Sequence, residues 1–183
     1  MKLEPALQKA WGILTEANLP RTISVRFLSH GYAVDIDNRK IRLSSSGATA
    51  DEGLSLLILH YLARKLTSLP PPTGEWLSLS GLSVAVGLDN AFKKRAVELL
   101  VEKYGSNPRG IYRVLETAPG RRIDQADAAI VLDVFEGVPA LIQLWKADDE
   151  FGPEGNLLFD RNVTGIFCSE DIVVLAEVVA RHL

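Results

Sequence analysis

Cysteine is almost missing from this 183-residue chain: Cys168 stands alone. A single thiol excludes an intramolecular disulfide and any zinc or iron–sulfur site built from the cysteines of one chain. No cysteine-ligated iron–sulfur cluster is therefore expected, and no cofactor is predicted. An excess of positive charge is missing too. The formal net charge is −3, with both signs interspersed. There is no basic stripe to displace counterions from phosphates, so no nucleic-acid partner is expected. The clusters Lys93-Lys94-Arg95 and Arg121-Arg122 are short and read as a solvated face or loop. Long apolar runs are lacking as well. The most apolar windows, residues 54–62 and 172–180, are far shorter than a membrane span. The start, Met1-Lys2-Leu3-Glu4-Pro5, leads into an amphipathic stretch rather than the apolar run of a secretory signal. A cytoplasmic protein with no membrane partner is the expectation. Standard motifs do not occur: there is no glycine-rich phosphate loop, no His-Glu-x-x-His and no Gly-x-Ser-x-Gly.

What is present suits one sizeable core. Hydrophobic residues make up 47% and charged residues 23%, ordinary globular values, and a chain of this length buries well over half of its unfolded surface. Residues 5–19 read as a helix, with Leu7, Ala10, Trp11, Leu14 and Asn18 on one face and Pro20 closing it. Three short strands follow at 22–28, 32–36 and 40–43, turned by His30-Gly31 and Asp37-Asn38 into an antiparallel meander. Thr49 and Glu52 have the spacing of a capping box before a helix over 51–67. That helix is apolar on most sides, which places it in the middle of the core.

Pro70-Pro71-Pro72 forces an extended connector, and a short strand is expected at 75–79. Asp89 caps a helix to Tyr104, ended by Gly105 in left-handed geometry. Pro108 opens another helix, through Glu116. Residues 128–135 and 140–146 form a hairpin around Glu136-Gly137-Val138-Pro139, with a third strand at 156–159. Ser169 caps a last apolar helix, Glu170 to His182. Hairpins occur twice and helices do not alternate with strands. The fold class is therefore α+β: antiparallel sheets from an N-terminal meander and a C-terminal hairpin, packed with four to five helices. Residues 1–183 are read as one domain.

Several side chains require an explanation. His60 interrupts the most apolar helix, and a buried imidazole selects a carboxylate or carbonyl partner. Cys168 precedes a helix start, where the dipole favours a thiolate; packing beside Phe167 is the plainer account. Asp148-Asp149-Glu150, with Glu154 and Asp160 after it, follows the strand ending in Trp145. Carboxylates at a strand end hold a hard cation, supply a general acid and base, or simply form a solvated turn; the metal question stays open. Phe151 inside that run is expected to anchor the loop on the core. In Gly74-Glu75-Trp76 the glycine permits a sharp turn and the tryptophan buries a large ring. Glu75 then needs a cationic partner or a ligand.

Taken in order, Leu59-His60-Tyr61-Leu62, Gly74-Glu75-Trp76-Leu77-Ser78, Asp127-Ala128-Ala129, Pro139 to Trp145, Asp149-Glu150-Phe151, Leu157-Leu158-Phe159-Asp160 and Glu170-Asp171 form a set. This set resembles the bacterial and archaeal domain-of-unknown-function family numbered 3786, from Tyr32 to the C-terminus. The family is known chiefly from anaerobes, and some members carry an iron–sulfur segment whose cysteines this chain lacks. The resemblance implies an iron–sulfur or one-carbon-metabolism protein as partner. It brings no established activity. Two departures stand out: Ala126 where a Gly before the Asp is expected, and residues 80–88, which differ from the family's glycine-rich aromatic stretch.

The resulting expectation is an accessory or ligand- and partner-binding module tied to anaerobic redox or one-carbon metabolism. Its expected cleft is formed by His60, Glu75, Trp76, Asp149, Glu150, Phe151 and Asp160. The rival is a carboxylate-based hydrolase, with or without a divalent metal, which requires those groups to meet at one point.

Overall fold

A computed structural model describes residues 3–17, 19–78 and 93–183. The expectations placed on Asn18, Leu79, residues 80–88 and Asp89 lie outside the described residues. The chain runs α1 (Glu4–Glu16), β1 (Thr22–Phe27), β2 (His30–Asp35), β3 (Lys40–Leu43), α2 (Glu52–Thr67) and β4 (Trp76–Leu77). A π-helical turn, Lys93–Val97, then leads into α3 (Glu98–Tyr104), followed by a 3-10 helix, Pro108–Glu116. The last part comprises β5 (Gly120–Ile123), β6 (Ala128–Phe135), β7 (Val138–Trp145), β8 (Glu154–Asp160), a 3-10 turn Arg161–Gly165 and α4 (Ser169–His182). Strands β1-β2-β3 form one antiparallel sheet, and β4-β8-β7-β6-β5 form a second. The class is α+β, with antiparallel pairing throughout. Among the described residues, no helix is long and apolar enough to cross a membrane.

Helix α2 lies where its composition places it. Leu54, Leu56, Leu57, Ile58, Leu59, Tyr61 and Leu62 are all buried, because a helix with so little polar face has no stripe left for water. It packs against α1 and α4, and its buried side chains share one continuous cluster with Ala10, Trp11 and Leu14 of α1 and Leu175 and Val179 of α4. Tyr61 stacks on Phe135 with centroids 4.6 Å apart and planes 13° apart. Its hydroxyl donates to the Glu136 carbonyl at 2.9 Å, which ties α2 to the β6–β7 turn. The two sheets are stitched where the Leu28 N–H donates to the Val134 carbonyl (2.8 Å) and Arg26 Nη1 donates to the Asp133 carbonyl (2.8 Å).

Several local expectations are corrected. The β1–β2 turn is Leu28-Ser29, since His30 already pairs with Phe27; Leu28 takes φ +49° there and is held by its bond to Val134. Asp51 caps α2, accepting from the Leu54 N–H at 3.0 Å. Thr49 instead forms an isolated bridge with Arg42, which removes it from a capping box. The β6–β7 turn is the two-residue Glu136-Gly137, with Gly137 at φ +76°. Gly105 is right-handed, at φ −60°. It is needed for a different reason: a Cβ there would lie 2.5 Å from the Val101 carbonyl oxygen and 2.9 Å from Pro153 Cβ. Pro108–Glu116 winds as 3-10 rather than α. Arg121-Arg122 is the solvated face that composition expects, but it lies on a strand, β5, which the sequence reading does not assign. Strand β5 is at the sheet edge, exposed at three of its four residues, so it has no alternation to betray it. Ser169 lies inside α4; the cap position is Cys168, which makes no side-chain capping bond.

Candidate functional site

The expected cleft residues divide among three places. The first is the β4 edge of the larger sheet, where Trp76 pairs with Asp160 and Leu77 with Phe159. Asp160 is only 1% exposed. Its carboxylate accepts from the Thr73 N–H (2.9 and 3.0 Å), the Thr73 hydroxyl (3.0 Å), the Gly74 N–H (2.6 Å) and the Asn162 N–H (2.9 Å). Gly74 aims its amide inward from φ +78°, a left-handed conformation natural to glycine. Burial pushes the Asp160 pKa upward, but bonds from Thr73, Asn162 and Gly74 outweigh it, so the carboxyl titrates below its usual range. The donors that surround this carboxylate, Thr73, Gly74 and Asn162, all belong to the chain itself. Asp160 is a clasp that ends the proline connector.

Glu75 beside it is exposed and pairs with Arg161 Nε at 2.5 Å, the cationic partner that its position calls for. Trp76 is half-buried. It packs with Leu158, Ile123, Ala129, Val131 and Leu141 on the sheet face opposite the helices.

The second place is the contact of α2 with α4. His60 Nδ1 lies 2.7 Å from Asp171 Oδ2, with the imidazole 29% exposed and the carboxylate 5%. This bond supplies the carboxylate that an imidazole in an apolar helix selects, and it closes a chain separation of 111 residues. Cys168 stands just before Asp171. Desolvation first, and then the Asp171 carboxylate, push its thiol up to about 11. The helix start therefore does not yield a reactive thiolate here.

The third place is the β7–β8 loop. Asp148 Oδ1 accepts from the Glu150 N–H (2.9 Å) and the Phe151 N–H (2.7 Å), and the Asp148 N–H donates to the Phe151 carbonyl (3.0 Å). Those N–H bonds, from Glu150 and then Phe151, lower the Asp148 pKa. Asp149 and Glu150 are exposed. Phe151 is 63% exposed and does not anchor the loop on the core. Asp148 already orders the loop through the backbone, so the ring is left free. Phe151 lies instead at an open cleft of about 600 Å³ with Trp145, Asp127, Lys146, Asp148 and Glu154.

Asp127 reaches that cleft because β6 pairs with β7. Its N–H donates to the Leu144 carbonyl (3.1 Å), and its carboxylate accepts from the Lys146 N–H (2.8 Å). Sequence reasoning left Asp127 and Trp145 out of the site. The signal available was Asp127 opening one strand of a hairpin and Trp145 closing the other. Ala126, just before, holds φ +57°, the backbone region in which a glycine is expected.

The three places do not converge. Asp160 is the last residue of β8 and the 148–151 loop lies before its first, so roughly 20 Å separates them at about 3.3 Å per residue. The His60–Asp171 pair joins two helices. Among the described residues, no group of three or more His, Cys, Asp or Glu side chains is placed to hold a metal ion.

A family model described as Domain of unknown function (DUF3786) matches residues 8–182. The match starts before Tyr32 and so takes in most of α1 and all of β1. No curated protein and no solved structure matches the chain.

Proposed function

From the premise that the chain belongs to the Domain of unknown function (DUF3786) family, we propose that it is a recognition module whose binding site is the Trp145–Phe151 cleft. One observation carries this reading: a phenylalanine 63% exposed, on a loop whose backbone is fixed by Asp148, at the mouth of a cleft that a second aromatic lines. A large ring kept in water contributes nothing to the core, whereas burial against a partner recovers its apolar area and aromatic rings dominate interface energetics. Three of the groups the rival hydrolase reading needs are engaged elsewhere, while Asp149 and Glu150 stand exposed on the loop. Asp160 is saturated by backbone donors, Glu75 is paired with Arg161, and His60 faces Asp171. An iron–sulfur or one-carbon-metabolism protein, the partner implied by the family resemblance, is the first candidate to offer to the cleft.

The test is a thermal-shift screen of small molecules, metal ions and candidate partner proteins on the wild-type chain and Phe151→Ala. A ligand at about 100 times its Kd stabilises the fold by about 2.7 kcal/mol, a Tm rise of about 5–10 °C for a domain of this size. The reading expects hits that shift the wild type and leave Phe151→Ala unmoved. Hits indifferent to Phe151 would overturn it.

A further inference from the structure

We propose that the Trp145–Phe151 cleft accepts an arginine or lysine side chain from a basic peptide segment of a partner protein. This rests on the reading of the cleft as a recognition site and names the chemistry recognised there. The lining carries three carboxylates, Asp127, Asp148 and Glu154, against one cation, Lys146, and it includes two aromatic rings. Asp149 and Glu150 add two more exposed acids on the same loop. Rings and carboxylates together suit an organic cation: the ring face attracts it through the quadrupole, and the carboxylates bond to its N–H groups.

An anion is disfavoured by the same charges. A bare hydrated metal ion gains nothing from the rings. The openness of the site decides between a free small cation and a side chain. Small-molecule sites enclose most of their ligand's surface, whereas here Lys146, Ala147, Asp148, Phe151, Gly152 and Glu154 are all exposed. A long side chain delivered by a peptide backbone fits such a cleft, because the rest of the peptide supplies area outside it.

The loop is also pre-ordered. Asp148 fixes the amides of Glu150 and Phe151, so the ring is already presented and little ordering entropy is lost on binding.

The experiment titrates the full ¹⁵N-labelled chain with three blocked hexapeptides in which glycine alternates with arginine, glutamate or leucine. The arginine peptide is expected to shift the Asp148, Phe151 and Gly152 amides and to bind at least tenfold more tightly than the glutamate peptide. Its affinity should fall as salt rises. Phe151→Ala and Glu154→Gln, both at exposed positions, should each weaken it about threefold or more. If the leucine peptide matches or beats the arginine peptide at those amides, the cationic assignment is overturned while the recognition site stands. If none of the three peptides moves those amides, both the assignment and the underlying reading fail.

Discussion

Replacing Asp160 by Asn tests whether this residue is a clasp or a free functional carboxylate. The side chain keeps its size but loses its charge, and one acceptor oxygen becomes an NH₂ group. If the remaining oxygen takes the Oδ1 position, it keeps Thr73 and Asn162 as donors, and the new NH₂ faces the Gly74 N–H, whose 2.6 Å bond is lost. That bond to a charged acceptor is worth about 1.5–3 kcal/mol, and its loss leaves a donor without a partner. The surviving bonds weaken towards neutral strength, at about 0.5–1 kcal/mol each. Because these terms share one group they do not add fully, and a loss of about 3 kcal/mol is expected, read from urea unfolding at pH 7.

The pH dependence supplies a second readout. The folded-state pKa of Asp160 is depressed, so its contribution is complete above the unfolded value, about 3.9, and is lost as pH falls through the folded value. The gap between wild type and Asp160→Asn should therefore be widest at neutral pH and narrow below about pH 4. A loss under 1 kcal/mol, or a gap that does not change with pH, would refute the clasp. It would return Asp160 to the list of available acids.

Ala126→Gly should stabilise the protein by up to about 1 kcal/mol in the same assay. It relieves a left-handed alanine at a cost of about 1–2 kcal/mol, against the greater unfolded-chain entropy of glycine; a clear loss of stability would refute that reading of φ +57°. Gly105→Ala should lower stability by about 1–3 kcal/mol, since its Cβ would meet Val101 and Pro153 inside contact distance; a neutral result in thermal unfolding would contradict the close approach. Cys168, with its thiol at about 11, should react with iodoacetamide at pH 8 on the order of 100-fold more slowly than an unperturbed thiol, because only the thiolate attacks. Labelling at the ordinary rate would refute the raised thiol pKa that burial and Asp171 produce.

Sequence alone determined the elements whose signal is local. The all-apolar stretch around Leu57 had to be a central helix, the alternation of residues 22–43 had to be a meander, and Gly137 between two apolar runs had to be a hairpin turn. Each follows from side-chain periodicity or from one residue's backbone freedom. The tertiary structure decided what meets across long separations: His60 with Asp171, Asp160 with Thr73 and Gly74, and Asp127 with the Trp145 end of β7. No periodicity encodes those pairings, because they depend on which element packs beside which. The same limit explains β5, an exposed edge strand held by its neighbour's backbone, and Phe151. An aromatic in a loop looks like an anchor until the structure shows Asp148 already holding the loop, which leaves the ring exposed.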